Sequence, residues 1–467
     1  MLLQDMVSTE EMRKIWSEEN MLQKWIDVER AITEAQSKLG MIPQGAAKKI
    51  LEKLSIQHLC SKRIYEKKKN ISHIMVSFIK AFREICGTAA EHFHIGPTTQ
   101  DILDTGLTLQ MKEAHNLIMN QMYELEQILC DRALEHKNTV MMGRTHQQHA
   151  VPCTFGFILA IWASEIRDHI ERARESEKRW LLGNLTGMVG SQNAFVELAG
   201  IKTTTKLQKM VCNNLNLKSP MIDLHSRTDR FSGVISNLAQ LCSSLGKIGI
   251  NISNWQRSEV MEVQEPHDEM QSFSSTNPNK INPDDSEQVE GLAKLVRCHA
   301  LAMQDIQMLD NRDASRMPVL FVTIPLNYMM ASKAISTTIK NLAGLVVHDD
   351  IMFKNMVHAN VLGQTIAERL MIAMYKKTGE KIKAYDFLNK YAKKSRRERR
   401  LFRDVLAEEE YFSILFDEKE LERLFDITTY TGTATYQCEN AIKIIGEKRK
   451  NEISEGILVG KNYKIKL

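Results

Sequence analysis

The chain has 467 residues, 43% hydrophobic and 26% charged, which excludes a disordered chain and leaves room for a large core and two or three domains. Its 62 basic and 58 acidic side chains leave a formal charge of +4, too balanced to mark a nucleic-acid binder. No uninterrupted apolar run approaches the roughly 18 residues that cross a bilayer, and Met1-Leu2-Leu3-Gln4-Asp5 lacks a basic region followed by an apolar core, so a soluble, cytoplasmic protein without membrane contact is expected.

Only 22 Gly and 9 Pro break the chain, and helix-favouring residues dominate, so the expected class is all-α. Ser8 and Glu11 have the spacing of a capping box, and apolar residues from Ile15-Trp16 through Trp25, Ile26, Ile32 and Ala35 carry a helix to Gly40. Helical pieces follow from about Pro43 to Leu59 and from about Ser72 to Cys86, and residues 1–100 make a first small domain. Longer helices are then expected from Ile102 to Glu135, Phe155 to Arg179, Thr228 to Glu259, Asp284 to Met308 and Val322 to Val347. In the third, Phe231, Val234, Ile235, Leu238, Leu241, Cys242, Leu245 and Ile248 form one apolar stripe. Helices of roughly 30 residues are about 45 Å long, and covering such stripes calls for further copies of the chain, hence a homo-oligomer built on shared bundles. The central bundle domain spans 101–349, and 350–467 form a last domain of shorter helices. There the basic run from Lys393 to Arg400 reads as a solvated helical face, with Leu401, Phe402 and Val405 as a buried stripe beside it. The eight cysteines are scattered without a C-x-x-C pair and fit reduced, buried thiols.

Three polar segments interrupt the helices. They are Gly96-Pro97-Thr98-Thr99-Gln100-Asp101, Gly143-Arg144-Thr145-His146-Gln147-Gln148-His149-Ala150, and Phe273-Ser274-Ser275-Thr276-Asn277-Pro278-Asn279-Lys280-Ile281-Asn282-Pro283. In the last, two prolines enforce an irregular loop, Asn282 is placed to cap a helix with Pro283 at its first position, and Asp284 and Asp285 complement the helix dipole. Singly, these read as a helix cap, a buried histidine and a surface turn. Together they supply hydroxyl and imidazole groups to move protons, and an ammonium and amides to hold a carboxylate. No Gly-rich phosphate loop or H-E-x-x-H is present, and His146 and His149 have no third ligand nearby in sequence, so neither a metal nor a cofactor is expected.

In this order the three segments resemble those of the aspartase/fumarase superfamily, whose signature loop reads G-S-S-x-M-P-x-K-x-N-P. Ser274, Ser275, Pro278, Lys280, Asn282 and Pro283 match it, whereas Phe273 replaces the Gly and Asn277 the Met. Gly143-Arg144-Thr145-His146-x-Gln148-x-Ala150 is similar to the second segment, and Thr98-Thr99-Gln100-Asp101 to a Thr-Ser-x-Asp segment, with Thr for Ser. Gly187-x-x-Gly190-Ser191 and Phe425-Asp426-x-x-x-Tyr430-x-Gly432 extend the resemblance over nearly the whole chain. It implies a three-domain, all-α subunit, a homotetramer with a twenty-helix core, sites shared between subunits, and metal-independent anti-elimination from a small anionic dicarboxylate, usually releasing fumarate. By the same resemblance Ser274 matches the general base, Lys280 and Asn282 the groups that stabilise the aci-carboxylate, His146 the general acid and Glu287 its orienting partner. Thr98, Thr99, Thr145, Gln148, His73, Ser275 and Arg312 match substrate-binding positions. A serine hydroxyl is a poor base at neutral pH, so Ser274 needs a positive surrounding such as Lys280 and a helix N-terminus.

Glu11-Met12-x-x-Ile15-Trp16-Ser17 and Gly246-Lys247-Ile248 resemble the adenylosuccinate lyase and carboxymuconate cycloisomerase branch. Adenylosuccinate lyases hold a nucleotide phosphate, yet Met6-Val7 stands where they carry Arg-Tyr, and Arg312-Asp313 is followed by Ala314-Ser315-Arg316 in place of their Ser and Arg. Two lost phosphate contacts point to a nitrogen-expelling lyase acting on another succinyl-type dicarboxylate, with adenylosuccinate as the alternative unless Ser315 and Arg316 compensate. An epimerase or cycloisomerase of the iminodisuccinate or carboxymuconate kind would use the same carbanion. From another class, a helical scaffold with a decayed site accommodates Phe273 and Asn277.

Overall fold

A computed structural model describes residues 4–223, 225–267, 276–277, 280–307, 313–358 and 362–457. The class is all-α, as expected. The helices are α1 (Glu10–Ile15), α2 (Glu18–Lys38), α3 (Gln44–Lys53), α4 (Ser61–Lys68), α5 (Ile74–Cys86) and α6 (Thr99–Glu135). A two-stranded hairpin, β1 (Val140–Thr145) and β2 (Gln148–Thr154), leads to α7 (Phe155–Trp180), α8 (Asn193–Asn214) and α9 (Asp229–Gln256). Then come β3 (Val263–Gln264), α10 (Asp284–Asp305), α11 (Arg316–Pro318), a π-helical turn at Val319–Thr323 and α12 (Ile324–Gly344). β4 (Val346–Val347) pairs with β3, and α13 (Asp349–His358), α14 (Ala367–Thr378), α15 (Lys381–Glu398), α16 (Phe402–Ala407), α17 (Glu410–Leu415), α18 (Glu418–Phe425) and α19 (Ala434–Ser454) complete the order. Among the described residues one run, Arg316–Gly344, is long and apolar enough to cross a membrane, but 56% of its apolar window is buried inside the protein, as in a core helix.

The chain divides into two compact units, each discontinuous in sequence. The first comprises Met1–Met122, His169–Gly246 and Gln288–Ser336, and the second Tyr123–Asp168, Lys247–Glu287 and Thr337–Leu467. In the first, α2, α5, α8 and the start of α6 close around Trp25, Ile26, Phe78, Phe82, Phe93 and Phe195. Trp25 meets Phe78 edge-on at 6.1 Å between ring centroids. Gly106 on α6 admits that indole, since a Cβ there would stand 2.8 Å from Trp25 Cδ1. All eight residues of the stripe read from Phe231 to Ile248 are buried, because a 3-4 spacing keeps them on one helical face.

The second unit buries a network of charge. Arg167 forms a fork with Glu126 (2.6 and 2.7 Å) and reaches Glu452 on α19 (2.7 Å), while Arg449 also bonds to Glu126. Removing one member would strand a charge in the interior, so the network holds α19 in register rather than adding much net stability. One core cluster of this unit gathers Phe402, Val405, Phe412 and Leu424 around α14 and α15.

Local expectations needed correction at several points. Thr9, not Ser8, caps α1, accepting from the Met12 amide, and the helix expected to continue to Gly40 breaks at Trp16, where Ser17 starts α2 by accepting from the Asn20 amide. The piece expected from Pro43 to Leu59 stops at Lys53. Leu401 is exposed whereas Phe402 and Val405 are buried, since it precedes α16 rather than lying on its inner face. All eight thiols are free, but Cys60 and Cys298 are exposed, so burial does not hold for every cysteine.

Candidate functional site

The second polar segment is a β-hairpin rather than a loop. Thr145 pairs with Gln148, leaving His146 and Gln147 as the two turn residues, both with positive φ (51° and 61°). Two-residue hairpin turns favour that left-handed backbone because it matches strand twist, but they usually use Asn or Gly; in His and Gln it costs about 1–2 kcal/mol each. That cost leaves the His146 imidazole exposed at the hairpin tip, with Thr145 and Gln148 exposed beside it.

The base of the hairpin is fixed. The register shifts between Met142 and Arg144, and Gly143 is required there because a Cβ would stand 2.6 Å from the Val151 carbonyl oxygen. Arg144 donates a bidentate pair to Glu262 (2.6 and 2.7 Å), whose side chain is fully buried, and Asn355 donates to the same carboxylate at 3.1 Å. This clamp gives the exposed imidazole a rigid footing. Burial, and then the Arg144 charge, push the His149 pKa below the ordinary value, which favours a neutral ring. A cavity of about 330 Å³ lies against the hairpin, lined by Gly143, Arg144 and Gln147 together with Asn251, Asn254 and Arg257.

In the signature loop, Phe273, Ser274, Ser275, Pro278 and Asn279 lie outside the described residues, as does Arg312 further on. The Lys280 amide donates to the Asn277 carbonyl at 3.2 Å, the Lys280 side chain is exposed, and Asn282 is half-buried. The following helix starts at Asp284, the start expected for the long helix, with Pro283 just ahead of it, and its first amides are held by a distant residue: Glu265 accepts from Ser286 (2.8 Å) and Asp285 (3.2 Å). Burial is the main reason the Glu265 pKa is raised, and Asn341 supports its carboxylate at 3.0 Å. Glu287 is exposed in the first turn of α10 and makes no hydrogen bond or ion pair with His146 in this chain.

The first unit carries the remaining candidates. Thr98 and Thr99 are half-buried at the start of α6, where Asp101 accepts from the Thr98 amide at 2.8 Å, the reciprocal half of a capping box. Asp101 is itself fully buried and also accepts from the Thr186 and Gly187 amides, so the Thr98 segment and the Gly187-x-x-Gly190 turn share one anchor. Gly96 (φ 98°) tolerates no side chain, because a Cβ would meet the Phe195 ring at 2.5 Å. His73 is the N-cap of α5, its Nδ1 accepting from the Val76 amide at 3.4 Å, with the ring exposed.

Sequence reasoning missed His94, Glu29 and His225. His94 stands two residues before Gly96 with a left-handed φ of 56°, and its Nδ1 lies 2.5 Å from the fully buried Glu29. Burial opposes charge on this ring, but Glu29 and, more weakly, Asp101 outweigh it and raise its pKa. His225 contacts Asp101 across 124 residues, a proximity no local pattern announces. Glu262 and Glu265 carried no signal either, since each works by reaching a distant element.

An all-α chain that offers hydroxyls at a helix start, a histidine at the tip of a clamped hairpin and a lysine ahead of another helix has the features of an acid–base lyase. The chain matches the lyase family over residues 5–297 and the adenylosuccinate lyase C-terminus over residues 363–441. It is 34% identical to the adenylosuccinate lyase of Methanocaldococcus jannaschii, covering 94% of this chain and 95% of the other. It is also 33% identical to the N-acetyl-S-(2-succino)cysteine lyase of Enterococcus italicus, over 94% and 95%. Among solved structures, a fumarate lyase from Mesorhizobium sp. BNC1 superposes with a TM-score of 0.86 at 27% identity, covering 94% and 98%. The 3-carboxy-cis,cis-muconate lactonizing enzyme from Pseudomonas putida also gives 0.86 at 27%, over 95% and 98%. The chain belongs to the aspartase/fumarase lyase superfamily and, within it, to the adenylosuccinate lyase and carboxymuconate cycloisomerase branch. It is an enzyme, and the scaffold reading falls.

Proposed function

We propose that this lyase removes a proton next to a carboxylate of a succinyl-type dicarboxylate and expels a nitrogen leaving group, releasing fumarate. The observation that carries the reading is end-to-end similarity to enzymes named for succinyl-bearing substrates, in a chain that also offers the acid, hydroxyl and lysine elements of that chemistry. In the proposed cycle Ser274 takes the Cβ proton, and Lys280 and Asn282 hold the doubly charged aci-carboxylate. His146, oriented by Glu287, protonates the departing nitrogen as the Cα–N bond breaks, while Thr98, Thr99, Thr145, Gln148, Ser275, His73 and Arg312 bind substrate oxygens. Since Glu287 does not reach His146 within one chain, the proposal includes a homotetramer whose sites draw on several subunits, with domains 1–100, 101–349 and 350–467 in each. The work is taken to be cytoplasmic.

A non-nucleotide substrate is preferred to adenylosuccinate. Met6-Val7 offers no cation, the Ser315 hydroxyl is turned onto Asp313 at 2.6 Å, and Arg316 is only 5% exposed. A second reading, with a sulfur leaving group, draws on the relatives named as N-acetyl-S-(2-succino)cysteine lyases in Enterococcus italicus and Dickeya dadantii. Incubation with matched N-succinyl and S-succinyl compounds, following fumarate absorbance and deuterium uptake into substrate, separates the readings. Fumarate from N-succinyl compounds alone supports the first, from thioethers alone the second, and deuterium uptake without fumarate would replace both with an epimerase.

A further inference from the structure

Beyond the groups that would touch substrate, the first unit contains a buried string of ionisable residues alternating in sign: Glu29, His94, Asp101, His225, Asp104 and Arg230. Asp101 is its centre. Its carboxylate accepts from three backbone amides, Thr98 (2.8 Å), Thr186 (2.8 Å) and Gly187 (3.1 Å), so two chain segments hang on one side chain. Asp104 lies one turn further along α6 and is only 4% exposed. Two buried carboxylates that face one ring call for a counter-charge. All three amides need an acceptor, which the Asp101 carboxylate supplies.

His225 supplies the counter-charge. Its side chain is 3% exposed, with Nε2 3.1 Å from Asp101 Oδ1 and Nδ1 3.5 Å from Asp104 Oδ2. The Asn184 side-chain amide lies 3.0 Å from Nδ1 and also contacts the Thr186 hydroxyl, which donates to Asp223 at 2.6 Å. The Asn184 nitrogen is the atom placed on the ring; with the amide turned so that its oxygen faces the ring, Asn184 accepts from Nδ1–H and donates to Thr186. A doubly protonated ring then serves both aspartates, with Nε2–H donating to Asp101 and Nδ1–H facing Asp104.

We propose that His225 is a positioning residue: bridging Asp101 and Asp104, it keeps the Asp101 carboxylate seated on the amides of Thr98, Thr186 and Gly187 and so sets how tightly the Thr98-Thr99 segment binds substrate oxygens. The binding clause rests on the function proposed above; the seating of the three amides does not. The charged groups facing the ring are Asp101 and Asp104 on α6, Asp223 on its own connection and Arg230 on α9, with His94 on the far side of Asp101. Burial disfavours charge on His225, but hydrogen bonds and Coulombic attraction from the two aspartates outweigh it and push its pKa up to about 9. The folded value lies above the roughly 6.5 of a free histidine, so the seat is complete below that pH and is lost as pH rises through the folded value.

The test is amide hydrogen exchange read by mass spectrometry on the full-length protein, with peptides spanning Thr98 and Thr186-Gly187 normalised to α19 and compared across pH for wild type, His225→Gln and Asp104→Asn. Wild type should lose protection of these amides between about pH 8 and 10, and His225→Gln should exchange them at least about tenfold faster at pH 7 with no such pH limb. Asp104→Asn, which removes one attraction, should keep protection at pH 7 and move the limb to lower pH. On whichever succinyl compound wild type cleaves, His225→Gln should raise KM about tenfold and change kcat by less than about twofold. Unchanged protection in folded His225→Gln overturns the proposal, as does a wild type without a pH limb; the latter, with Asp104→Asn, decides the matter if His225→Gln does not fold. A fall in kcat at constant KM overturns the binding clause. If no succinyl compound is cleaved, the proposed function fails while the exchange result still decides the role of His225.

Discussion

The Thr98 segment and the His146 hairpin solve opposite problems. Around Thr98 everything is tied down inside one unit: Asp101 holds three amides, Glu29 holds His94, and no side chain in the string from Glu29 to Arg230 is more than about one-tenth exposed. At the hairpin only the base is fixed, through Arg144 and Glu262, while Thr145, His146 and Gln148 stand exposed on a strained turn. The difference fits a division of labour in which binding groups are organised by the chain's own interior and the proton-moving group is offered outward, to be completed by something else. Interior wiring should make the first region sensitive to pH and tolerant of dilution, whereas the second should depend on assembly.

The largest expected effect comes from breaking the hairpin's clamp. Arg144→Ala leaves the fully buried Glu262 without its cation, and loss of about 3–5 kcal/mol of stability is expected, read as a lower midpoint in chemical denaturation. A midpoint within error of wild type would show that the hairpin does not need its clamp. Next, His146→Ala should leave stability nearly unchanged, because the ring is exposed, yet lower turnover on the productive succinyl compound by at least about 10²-fold, with a similar loss for Ser274→Ala. Near-normal turnover in either variant would remove that residue from its proposed role.

Effects in the wired region are smaller and depend on pH. The His94 pKa is raised in the folded protein, so the stability gained from its pairing with Glu29 is full below a free histidine's pKa and disappears as pH climbs through the folded value. Glu29→Gln should cost about 1.5–3 kcal/mol at pH 6 and less at high pH, visible as a flattened plot of melting temperature against pH. A cost that does not vary with pH would mean the pair acts by packing alone. Smallest of all, Gln147→Gly relieves one left-handed residue beside His146 and should stabilise by about 1 kcal/mol or less, since glycine's greater freedom in the unfolded chain offsets part of the relief. Destabilisation would indicate that the Gln147 side chain makes up for its backbone strain, and the contrast with the relaxed Thr98 segment would weaken.

Much of this was legible from residues alone. The stripe from Phe231 to Ile248 is one buried face, and helix ends near Glu135, Phe155 and Asp284 stand within a residue of expectation, because period and punctuation are local properties. The three polar segments were picked out by residue type, and the family resemblance they suggested is shown by the comparisons. What escaped was of two kinds. The hairpin was not anticipated because His-Gln carries no turn signal of the Asn-Gly type, so its geometry is imposed by strand pairing and the Arg144 clamp rather than by the turn itself. The cap of α1 went to Thr9 rather than Ser8, and the first amides of α10 are taken by the distant Glu265, since a helix start takes whichever acceptor the surroundings deliver.

Composition and period, then, determined an all-α chain with long apolar stripes, and residue chemistry determined which segments could move protons. Both follow from properties that each residue carries wherever the chain goes. Tertiary structure alone decided that Asp101 meets His225 across 124 residues, that Glu262 takes Arg144, and that Glu265 caps α10. Those pairings depend on which distant side chains share one dry interior, where an unpaired charge is too costly to leave alone, and no local window of sequence contains that information.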